Sequence, residues 1–103
     1  MNTLIEAHRS ELEQLCQRYH VKRLELFGSA ATEEFKPETS DIDFLVEFAP
    51  DHEMGPWLAE YFDLKDELER LFGHKVDLVM IGALRNPYFI EQVNRSRTLL
   101  YAA

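Results

Sequence analysis

Asp41 and Asp43 open the apolar run DIDFLVEF at residues 41–48. Side chains alternate faces along an extended strand. The two carboxylates therefore share one face with Leu45 and Glu47, while Ile42, Phe44, Val46 and Phe48 share the other. Two carboxylates so placed can bridge hard cations, because magnesium prefers oxygen ligands and keeps substrate phosphates and waters in its shell. A pair of such ions clamps the attacking and leaving oxygens of an in-line displacement. Upstream, Gly28-Ser29 ends the run KRLELF. A glycine after a strand lets backbone N–H groups approach a phosphate with no Cβ in the way. The Ser29 hydroxyl can donate to a phosphate oxygen. Downstream, Asp77 sits within HKVDLVMI, on the face opposite Val76, Leu78 and Met80. It is the natural third carboxylate if its strand adjoins that of Asp43.

Each part has an ordinary explanation by itself. Asp-x-Asp can be a solvated strand start, Gly-Ser is common turn chemistry, and Asp77 can be a charge that guards an apolar strand. The ordered combination is far more demanding, and it points to phosphoryl or nucleotidyl transfer.

The elements that must hold these residues follow from periodicity. Residues 3–19 read as a helix, with Leu4, Ile5, Leu12, Leu15, Cys16 and Tyr19 near one stripe. Residues 22–27 alternate Leu24 and Leu26 against charges, as a half-buried strand does. Residues 30–40 suggest a helical turn and then a loop at Pro37. In 57–72, Trp57, Tyr61, Leu64, Leu68, Leu71 and Phe72 recur at intervals of three and four, and Gly73 ends that helix. After the strand at 74–81, Asn86-Pro87 opens a short helix, and RTLLYA closes as an edge strand. The order helix, strand, strand, helix, strand, helix, strand predicts an α+β domain. It would be a small mixed sheet with helices packed on one face.

The 103 residues suit one domain, 1–103, with a modest core. The formal net charge is -8, with 19 acids against 11 bases, which argues against bulk nucleic acid as a partner. A carboxylate-rich metal site accounts for part of that excess, and a basic protein partner is compatible with it. The single cysteine, Cys16, allows no internal disulfide and no zinc site of its own. His8, His20, His52 and His74 are scattered and read as surface or loop residues. The N-terminus has no apolar signal core, and no run approaches the ~18 residues of a membrane span. A cytoplasmic location is expected.

Residues 26–46, LFGSAATEEFKPETSDIDFLV, resemble the signature of minimal nucleotidyltransferases in the DNA polymerase β-like superfamily. The resemblance continues through KVDLVMI at 75–81 and through 84–101, so it covers nearly the whole chain. It implies a polymerase β palm-like fold. It implies that Gly28 and Ser29 bind the triphosphate of ATP and that Asp41, Asp43 and Asp77 ligate two magnesium ions. Asp77 would also help deprotonate the acceptor. It further implies an antitoxin that transfers AMP to a tyrosine hydroxyl of a HEPN-domain partner. One departure stands out: where members of the family commonly carry Ala-Arg-Gly after Gly-Ser, this chain has Ala31-Thr32-Glu33. The lost cation motivates a second reading, a weakly active or inactive module that neutralises its partner by contact. A metal-dependent glycosyltransferase, the third reading, usually needs a much longer chain.

Overall fold

A computed structural model describes residues 3–31, 41–49 and 59–103. Thr32, Glu33, Glu34, Pro37, His52 and Trp57 lie outside them, as does most of the expected loop at 30–40. The elements are α1 (Thr3–Ala7), α2 (Arg9–Arg18), β1 (Val21–Phe27), β2 (Ile42–Phe48), α3 (Ala59–Phe72), β3 (Val76–Met80), α4 (Pro87–Ser96) and β4 (Thr98–Ala102). Short 3-10 turns occupy Gly28–Ala31 and Ile81–Ala83.

The expected order of helices and strands is present, with one division. The helix predicted over 3–19 breaks at His8, whose φ of -115° and ψ of 20° leave the helical region. Its ring stands edge-on to Phe72 of α3, 5.6 Å between centroids, so this histidine is packed rather than purely a surface residue. Gly73 ends α3 at φ +66°, donating its N–H to the Glu69 carbonyl. Asn86 caps α4, its side-chain oxygen accepting from the N–H groups of Tyr88 and Phe89, with Pro87 in the first turn.

The sheet order is β3-β2-β1-β4. β1 lies antiparallel to both β2 and β4. β2 and β3 run parallel, as a connection through α3 permits. One sheet face carries the main core. There Ile5, Leu12 and Cys16 from α1 and α2, and Leu64, Leu68 and Phe72 from α3, pack on Leu24, Leu26, Ile42, Phe44, Val46 and Val76. This is the expected layer of helices on one face. The Cys16 thiol is buried there and pushed up to about 12, first by burial and then by the charge of Glu13, so it stays an inert thiol.

A smaller cluster of Phe27, Leu45 and Val93 lies on the opposite face, where α4 covers one corner of the sheet. α4 is held there by charge as well as by packing. Glu25 on β1 is 3% exposed. Its carboxylate accepts from Arg97 Nε at 3.0 Å and from Arg23 Nε at 3.2 Å. Arg97 caps the C-terminus of α4 and leads into β4, so the pair fastens that corner to the central strand. Among the described residues no helix is long and apolar enough to cross a membrane.

Candidate active site

Alternation along β1 and β2 puts Phe27, Asp43 and Leu45 on the face opposite the main core. The register then does what the sequence could not specify. β3 pairs with β2 in parallel, and Asp77 falls directly opposite Asp43. Phe27 is the register partner of Asp43 on its other side, so Gly28 follows immediately beside that aspartate.

Gly28 adopts φ +72°, a left-handed backbone that L side chains rarely take. A Cβ built there would collide with Asp43 Oδ2. Glycine is thus required twice, for its backbone and for the space that the carboxylate fills. The Gly28 N–H donates to Ser96 Oγ at 2.8 Å, which ties the turn after β1 to the end of α4.

The two aspartates form an electrostatic unit. The carboxyl of Asp43 is raised from 3.8 to about 6. Burial is the largest cause, followed by the charge of Asp77, a hydrogen bond with Asp77, and the charge of Asp41. Asp41 precedes β2 and is half-buried. Among the described residues no three Asp, Glu, His or Cys side chains are gathered as a preformed metal cage. Asp43 and Asp77 are brought together, and Asp41 contributes its charge from nearby. A hard cation suits this donor set: it would offset both the burial and the repulsion that raise Asp43, and one or two carboxylates are what magnesium usually takes from a protein.

The carboxyls open into a cleft of about 240 Å³. Phe27, Val79 and Phe89 line it together with Tyr61 and Lys65 of α3. Phe27 and Phe89 meet edge to face at 5.9 Å between centroids. The Tyr61 hydroxyl donates to the Leu78 carbonyl. Tyr88 is open to solvent, and Phe89 borders the cleft.

Lys65, Ser96 and the wall formed by Phe27 were not singled out as site residues from sequence. Lys65 carried a weak signal, since it stands one helical turn after Tyr61 on α3. Ser96 carried none, because its partner Gly28 is 68 positions away.

The model of the nucleotidyltransferase domain family matches residues 8–100. A Methanocaldococcus jannaschii protein, provisionally named a protein adenylyltransferase, is 42% identical over 92 residues, 87% of this chain and 84% of that protein. A solved structure provisionally described as a minimal nucleotidyltransferase superposes with a TM-score of 0.71 at 35% identity, covering 91% of this chain and 90% of that one. The fold also matches a Shewanella oneidensis complex of a tri-AMPylated HEPN toxin with its MNT antitoxin. There the TM-score is 0.64 at 18% identity, covering 95% of this chain and 72% of that one. With the family's match spanning both Gly28-Ser29 and the Asp43–Asp77 pair, this chain belongs to the nucleotidyltransferase domain family.

Proposed function

We propose that this chain transfers AMP from ATP to a hydroxyl, a tyrosine of a HEPN-domain partner, and so acts as that partner's antitoxin in the cytoplasm. The observation that carries the reading is the parallel register that sets Asp77 opposite Asp43 beside Gly28. The adenylyltransferase name of a relative at 42% identity supports AMP as the group moved. The AMPylated HEPN toxin held by a protein of the same fold supports a HEPN-domain partner as the protein that receives AMP.

In this reading Gly28 and Ser29 bind the triphosphate at the end of β1. Asp41, Asp43 and Asp77 would hold magnesium, with phosphate oxygens and water completing its shell. Bound there, the metal supplies charge neutralisation and orientation. The acceptor hydroxyl loses its proton to Asp77, its oxygen attacks the α-phosphorus, and pyrophosphate leaves. The charge lost by having Thr32 where the family commonly has arginine makes slow turnover the expected behaviour.

A second reading has the chain neutralise its partner by contact alone. It is favoured by that missing arginine and by the exposure of Tyr88, at 79%, and Phe62, at 55%. One experiment separates the two. The protein is incubated with labelled ATP, magnesium and the product of the adjacent reading frame. Label on that product, absent with Asp43→Ala, supports transfer. A tight complex that acquires no label supports contact.

A further inference from the structure

Lys65 is half-buried in the wall of the carboxylate cleft. Among the described residues it makes no hydrogen bond or ion pair, although Asp43 and Asp77 line the same cleft. An ammonium held in that wall without a direct hydrogen bond or ion pair keeps its donors available to a bound group.

Its place in the sheet says which substrate that is. β2 lies between β1 and β3. Gly28-Ser29 follow β1, on one side of Asp43. α3 packs on the opposite sheet face, and β3 is an edge strand, so Lys65 reaches the cleft around the β3 edge, on the Asp77 side. A nucleotide at Gly28-Ser29 and a second substrate at Lys65 would thus flank Asp43 from opposite sides.

The cleft has the dimensions and lining of a one-ring subsite. At about 240 Å³ it falls below the roughly 300–1,000 Å³ of pockets that hold drug-sized ligands. A single aromatic side chain fits within that volume. Phe27 and Phe89 already meet edge to face there, and Leu78 and Val79 add apolar wall. Another ring would gain the same edge-to-face contacts.

We infer that this cleft is the acceptor subsite, taking an aromatic hydroxyl, and that Lys65 sets its specificity by placing an ammonium against the acceptor oxygen. The inference rests on the transfer reading above. In the step itself the acceptor O–H bond breaks and its proton passes to Asp77. The oxygen–phosphorus bond forms, and the bond from the α-phosphorus to the bridging oxygen breaks, the electron pair leaving with pyrophosphate. Lys65 is not consumed; it stabilises the negative charge on the attacking oxygen.

Two small acceptors test this, N-acetyltyrosinamide and its more acidic fluorinated analogue, alongside the partner protein as a control for transfer. An ammonium beside an ionising group favours the charged form by about one to three pKa units. Lys65→Met should therefore lose about ten-fold or more in rate with tyrosinamide. The fluorinated acceptor needs less help, so its loss should shrink to about two-fold. Lys65→Arg should recover most of the rate, and the dissociation constant for ATP should not change in either variant. Four outcomes overturn the inference: no loss with Lys65→Met, an equal loss with both acceptors, weaker ATP binding, or small phenols left unlabelled while the partner is labelled. If the partner is also unlabelled by the unmutated protein, the transfer reading falls, and this one with it.

Discussion

Asp43 on β2 and Asp77 on β3 stand directly opposite each other in parallel register, close enough for the charge of Asp77 to raise the Asp43 carboxyl. Like charges directly opposite in a sheet are destabilising. A fold that keeps them is holding strain that a bound cation can relieve.

Burial of Asp43, together with its closeness to Asp77, has a measurable pH signature in the protein without metal. Folding raises Asp43 from 3.8 to about 6, so the folded state holds this proton more tightly than the unfolded state. The penalty is absent below pH 3.8, grows between 3.8 and about 6, and is complete above that. Because the carboxyl is only half-buried, solvent screening leaves it on the order of 1 kcal/mol. Asp43→Asn keeps a hydrogen-bonding side chain and removes the charge. In chelator at pH 7.5 it should melt about 4–8 °C above the unmutated protein, with little difference at pH 3.5. Thermal melts across that range decide the matter, and a gain confined to acid pH would refute the assignment.

Gly28 and Gly73 provide a matched comparison. Both sit at positive φ, +72° and +66°, but a Cβ meets Asp43 only at Gly28 and meets nothing within 4 Å at Gly73. Gly73→Ala should cost about 1–2 kcal/mol for its backbone alone. Gly28→Ala should cost more and should also displace the Asp43 carboxylate. Urea unfolding measures the first effect, and nucleotide transfer measures the second. Equal losses of stability would mean that the space beside Asp43 is not tight.

Arg97→Met should destabilise more than Glu25→Gln. The first leaves a carboxylate at 3% exposure with Arg23 alone for company. The second removes the charge that needed a partner. A hydrogen bond to a charged group contributes about 1.5–3 kcal/mol, so a loss in that range is expected for Arg97→Met. Denaturant midpoints for the two variants test the order.

Much of this arrangement was legible in the chain. The alternation of Ile42, Phe44 and Val46 against Asp43 and Leu45 specified both faces of β2, because a strand's two-residue period leaves no other choice. The four-residue spacing of Leu64, Leu68 and Phe72 did the same for the buried side of α3. The pairing of Asp77 with Asp43 was not legible. Strand order depends on how α3 crosses between β2 and β3, and no local pattern encodes it. The break at His8 was hidden for a similar reason, since its ring packs on Phe72, 64 positions away. Lys65 looked like one of several charges on an amphipathic helix, and only the edge position of β3 turns it toward the carboxylates.

The most direct test of the central claim, that Asp43 and Asp77 form one catalytic unit, is a double-mutant cycle on kcat/KM for AMP transfer to the partner. Asp43→Asn and Asp77→Asn are measured singly and together. Groups that act as one unit are strongly non-additive. Each single change should lower kcat/KM by about 100-fold or more, the scale of lost acid–base catalysis, and the double variant should be no worse than the worse single one. Retention of near-normal transfer by Asp77→Asn, or losses that simply multiply, would contradict the account.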